Sequence, residues 1–125
     1  MGKEKDVETE IIQYINYKGG YAIKVHSGGM MKSYRNKFGQ TKTHKINLAP
    51  TGTPDIIACI DGAFFGIEVK KDQKEVAKWW KQKDDRSINQ HYQLERIDKA
   101  GGQALITYSL DDFISLLEPS PELPL

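Results

Sequence analysis

Cysteine is nearly absent from this sequence. Cys59 is the only one in 125 residues. An internal disulfide framework and a cysteine-based zinc site are therefore excluded, and a reducing cytoplasm is the expected setting. Long apolar runs are missing too, with nothing near the roughly 20 residues of a membrane span. The opening MGKEKDVETE carries charge where the apolar region of a signal peptide would sit, so no leader is expected. Acids are missing between Lys18 and Asn47, a stretch holding seven Lys or Arg residues. Bases are missing from Ala104 onward, where four acids occur. A net charge of +1 thus hides a basic region of the kind that meets a phosphate backbone. Its candidate DNA-binding residues are Lys24, Lys32, Arg35, Lys37, Lys42 and Lys45. A solvated lysine-rich loop is the plainer alternative.

The length suits one domain, expected over residues 1–118, with 119–125 a disordered tail. Val7, Ile11 and Ile15 recur every four residues, which predicts a helix over 6–18 that Gly19-Gly20 stops. YAIKV at 21–25 alternates like a strand. Residues 27–43 show no steady period and read as a long flexible loop or a loose hairpin. HKINLA is a short strand candidate. Strands are expected at 55–60 and 63–70, then helices over about 73–82 and from Ser87 to Lys99. QALITYS is a further strand and LDDFISLLE a final amphipathic helix. This order predicts an α/β fold, a mixed sheet flanked by helices in three layers.

Asp61-Gly62 is a strong signal for a two-residue hairpin turn. With that turn Ile60 faces Ala63, and Asp55 falls opposite Glu68 in a couple that is not hydrogen-bonded. Their Cβ atoms would lie about 4.5–5.5 Å apart. Lys70 shares their face, whereas Phe65, Ile67 and Val69 point to the core. Two opposed carboxylates repel, and a divalent cation with oxygen ligands relieves that. The alternative is a simple salt bridge between Lys70 and one acid. Cys59 alternates onto the face of Asp55 and reads as a small core residue.

Pro54-Asp55, an apolar hairpin and Glu68-Val69-Lys70 resemble the PD-(D/E)xK nuclease motif. The helix before GG, the strand before HSGG, the GTPD turn, SINQ, AGGQALITYS and LDDF extend the likeness over residues 6–116. That order resembles stand-alone virus-type replication-repair nuclease (VRR-NUC) domains and, more distantly, Holliday junction resolvases. The resemblance implies a restriction-endonuclease-like fold and metal-dependent hydrolysis of DNA, with branched or junction DNA as a candidate substrate. It implies Mg²⁺ or Mn²⁺ held by Asp55, Glu68 and the Val69 carbonyl, with Lys70 positioning the attacking water. A homodimer would suit paired cuts. A DNA-binding module of the same fold without catalysis is the alternative.

The family also carries an acid on the first helix. Glu8 shares the inward face of Ile11, Ile12 and Ile15, whereas Glu10 sits off it, which favours Glu8. Gln90 matches a family glutamine that reaches the active site, although Ser87-x-x-Gln90 would also make a capping box. His26, His44 and His91 lack zinc-ligand spacing and are expected at the surface or on phosphate. Trp79 and Trp80 cannot share one helix face, so at least one is expected at a rim. Tyr34 and Phe38, set among bases, suit DNA stacking or a plain hairpin cap.

Overall fold

The computed structural model describes residues 3–26, 29–47 and 49–118, with the backbone alone for 29–32 and 44–47. The elements are α1 (Lys3–Tyr17), β1 (Tyr21–Lys24), β2 (Gly29–Arg35), β3 (Thr41–Asn47), β4 (Ile56–Ile60) and β5 (Ala63–Val69), followed by α2 (Gln73–Lys81), α3 (Asp85–Lys99), β6 (Gln103–Thr107) and α4 (Leu110–Leu117). Four strands form one sheet in the order β1-β4-β5-β6. The first two pairings are antiparallel and β5–β6 is parallel, so the sheet is mixed. A parallel neighbour needs a crossover, and α2 and α3 supply it. No helix among the described residues is long and apolar enough to cross a membrane.

The four-residue spacing on α1 does what it predicts. Val7, Ile11 and Ile15 are buried against Ala22, Ile56, Ala58, Ile67, Val69 and Phe113, the last from α4. Strand alternation thus sends one face of the sheet to α1 and α4. The other face meets α3. Gly66 lies under that helix, where a Cβ would stand 2.4 Å from Ile97 Cδ1 and 3.1 Å from Pro54 Cγ, so a side chain here would force Ile97 to move. Three layers result, as the element order predicts.

Asp61 and Gly62 have φ of 50° and 81°, as a two-residue type I′ turn requires. The expected register follows, from Ile60 opposite Ala63 to Ile56 opposite Ile67. There the ladder ends, one couple short of Asp55 and Glu68. Pro54 lies just beyond and has no N–H for the next hydrogen-bonded couple. The strand expected from residue 55 therefore begins at Ile56.

Residues 29–47 form a hairpin rather than a flexible loop, and β2 and β3 make a separate two-stranded sheet. Asn36 builds its tip. The Asn36 Oδ1 accepts from the N–H groups of Phe38 at 2.9 Å and Gln40 at 3.0 Å. At its root, Ala49 N–H donates to the His26 carbonyl at 3.0 Å.

Two local expectations change. Asp84, not Ser87, caps α3, because its carboxylate accepts from Ser87 N–H at 2.8 Å. The Ser87-x-x-Gln90 capping box therefore does not form. Cys59 is exposed rather than buried, because α3 packs on β5 and β6 and Cys59 stands on β4. The segment 119–125, expected to be a disordered tail, lies outside the described residues.

Candidate active site

Where β4 and β5 part, backbone groups lose their ladder partners and side chains take over. Asp55 leaves the ladder with both ends held. Its carbonyl accepts from Val25 N–H at 2.8 Å, and its Oδ2 accepts from Val69 N–H at 2.8 Å. In a continued ladder that second donor would face Pro54. The charge-assisted bond fixes the carboxylate beside β5.

Glu68 points to the α3 side and is 2% exposed. Its Oε1 accepts from Gln90 Nε2 at 3.4 Å and lies 3.7 Å from Lys70 Nζ. Its Oε2 is buried with no hydrogen-bond partner. A buried acceptor in that state is costly, and a charged one more so. The Glu68 carboxyl is pushed up to about 9. Burial is the largest cause, followed by the charge of Asp55 and a hydrogen bond to it, while Lys70 and Arg86 pull the other way.

That orphaned oxygen tests the metal expectation. A hard divalent cation would satisfy Glu68 Oε2 and relieve the repulsion from Asp55. The residues fit such an ion, with Asp55, Glu68 and the Val69 carbonyl as the available oxygens. No cluster of three His, Cys, Asp or Glu residues suited to one metal occurs among the described residues.

Lys70 is half-buried, with its own N–H on the Thr107 carbonyl at 2.9 Å. Its Nζ donates to Gln90 Oε1 at 3.2 Å and lies 5.7 Å from the Trp79 ring centre. Gln90 is 6% exposed and also accepts from Trp79 Nε1 at 2.6 Å. The structure thus gathers Asp55, Glu68, Lys70 and Gln90.

Glu8 is buried on the inward face of α1, as its spacing predicts, and Glu10 is exposed. Glu8 pairs with Lys24, a residue that alternates onto the face of Ala22, the α1 side of the sheet. Arg35, Lys37 and Lys42 are exposed on the β2–β3 arm and enter none of the ion pairs among the described residues. The backbones of Lys32, His44 and Lys45 lie in β2 and β3, and their side chains lie outside the described residues. Phe38 is exposed beneath Lys37 Nζ, 5.3 Å from its ring centre. Of the two tryptophans, Trp79 is buried and Trp80 exposed. His26 is exposed, whereas His91 is half-buried and stacked on Trp79.

Sequence reading missed Arg86, whose charge acts on Glu68. A signal was available, since Arg86 stands four residues before Gln90 and so shares its helix face. It also missed that Trp79 belongs to this cluster, a long-range contact with no local signature.

No protein-family model and no curated protein matches the chain. Among solved structures, one titled "VRR_NUC domain" aligns with a TM-score of 0.59 at 23% identity, covering 97% of this chain and 100% of that one. The chain therefore has the fold of a VRR_NUC domain, an α/β mixed sheet flanked by helices.

Proposed function

We propose that this chain is a metal-dependent DNA endonuclease of the PD-(D/E)xK kind. The observation that carries the reading is Glu68, whose Oε2 is buried without a donor and whose carboxyl feels the charges of both Asp55 and Lys70. A merely structural site would gain by replacing such a carboxylate. The shared fold with a VRR_NUC domain supports the same reading.

Asp55, Glu68 and the Val69 carbonyl would hold Mg²⁺ or Mn²⁺. When bound, that ion supplies a more acidic water and neutralises charge at the phosphorus. Loading requires Glu68 to give up its proton, and Lys70 favours the ionised form. The Lys70 ammonium, aimed by Gln90, then faces the phosphate oxygens as negative charge grows on them. Glu8, tied to Lys24, would contribute from the α1 side rather than as a ligand. The exposed bases of the arm would hold flanking phosphates. Branched or junction DNA is the proposed substrate class, two copies would serve paired cuts, and the cytoplasm is the proposed location.

The test incubates the chain with plasmid, single-stranded, flap and four-way-junction DNA, with Mg²⁺, Mn²⁺ or chelator, beside Asp55→Ala and Lys70→Ala. Cutting that needs the metal and both residues is expected. Salt-sensitive binding without cutting would instead leave a DNA-binding module.

A further inference from the structure

We infer that Trp79 is a positioning residue of this site: its indole N–H sets which way round the Gln90 amide lies, and through that amide it aims Lys70 and Glu68. The inference rests on the nuclease reading and extends it to a residue outside the motif.

The chemistry of the donors dictates the arrangement. An indole Nε1–H only donates. At 2.6 Å it therefore fixes the oxygen of Gln90, not its NH₂, on the α2 side. The same Oε1 receives the Lys70 ammonium at 3.2 Å. The NH₂ is then left to face Glu68 Oε1 at 3.4 Å. Flipping the amide would set NH₂ against two donors and oxygen against a carboxylate, so all three contacts would fail together. Lys70 alone cannot hold this orientation, because its flexible ammonium can turn to Glu68 Oε1, 3.7 Å away.

The indole is itself immobilised. Trp79 is 2% exposed and lies flat on His91, with ring centres 3.7 Å apart and planes at 17°. His91 Nε2 sits 3.1 Å from the Trp79 carbonyl oxygen, which can only accept, so that nitrogen carries hydrogen. His91 follows Gln90 in α3, so one turn of helix presents both the amide and the ring that locks its partner. Stacking alone would be served by phenylalanine. The buried N–H is what requires tryptophan here.

The test compares Trp79→Phe, Gln90→Ala and the double variant by calorimetric Mn²⁺ titration and by cleavage kinetics. Trp79→Phe is expected to weaken Mn²⁺ binding severalfold and to lower kcat about tenfold, with KM for DNA unchanged. The double variant is expected to be no worse than Gln90→Ala alone, since Trp79 acts through Gln90. Losses that multiply would overturn the inference, as would a Trp79→Phe protein that binds Mn²⁺ and cuts like the parent. Should Trp79→Phe not fold, ¹H–¹⁵N spectra of the parent decide. The Trp79 indole signal is expected to move on Mg²⁺ addition and to lose that response in Gln90→Ala, and an unresponsive signal in the parent would overturn the inference. If no DNA is cut by the parent, the nuclease reading fails separately, and the Mn²⁺ titrations still decide the role of Trp79.

Discussion

At the end of β5, the two faces carry equal burial and opposite chemistry. On one, Ile67 and Val69 lie under α1 and α4 at 0% and 1% exposure. On the other, Glu68 between them is 2% exposed and holds an oxygen without a donor. Burial stabilises the first face by removing apolar surface from water, and costs free energy on the second. The rigid apolar face can hold the strained polar one because β5 is paired on both sides, with β4 and with β6. Depth of burial therefore says nothing about whether a residue serves stability or chemistry. The fate of its polar atoms does.

Four measurements press on this contrast. Glu68→Gln should separate the two roles most widely. It should lower metal-dependent cleavage by about a thousandfold or more, because charge stabilisation at the phosphate goes with the ion. In chelator at pH 8 it should stabilise the fold by about 1–3 kcal/mol, since the new NH₂ can donate to Asp55. A melt in chelator showing Glu68→Gln to be less stable than the parent would break the contrast. One position away, Ile67→Ala should destabilise by about 2–5 kcal/mol in denaturant titrations, with or without metal.

The third concerns pH. Glu68 holds its proton more tightly folded than unfolded, with values of about 9 and 4.5. The folded state thus carries the extra proton between those values. Stability from this group is full below about 4.5 and is lost as pH rises toward 9. Melting temperature in chelator should fall across that window, the fall should be shallower in Glu68→Gln, and Mn²⁺ should flatten it in the parent. The smallest effect belongs to the arm. Joint replacement of Arg35, Lys37 and Lys42 by alanine should weaken DNA binding about tenfold and reduce its salt slope by roughly 3. Melting should stay within about 0.5 kcal/mol, as for other surface changes.

Much of this was legible in the chain. The Asp61-Gly62 turn dictates the register down to Ile56 and Ile67, and the period of α1 brings Glu8 inward. The end of the ladder was less so. It depends on Pro54 lacking a donor and on Asp55 using its side chain, a competition that alternation does not encode. At the outer end of the arm Ser33 to Arg35 and Thr41 to Thr43 are all exposed, and strand segments without a buried face need no apolar alternation. Asp84 and Ser87 are both good caps, and Asp84 is the one whose carboxylate reaches an α3 N–H. The link from Trp79 through Gln90 to Glu68 joins residues from two helices and a strand, which no single window displays.

The bond between His26 and Ala49 at the root of the arm has an engineering consequence. The polypeptide leaves the body and returns to it at one place, closed by its own backbone. The β2–β3 hairpin is paired with itself and not with the sheet that carries Asp55 and Glu68, so a change in its length or charge is expected to leave the carboxylates where they are. On the nuclease reading proposed above, arm grafts would then change which DNA is held and edits to β5 whether it is cut.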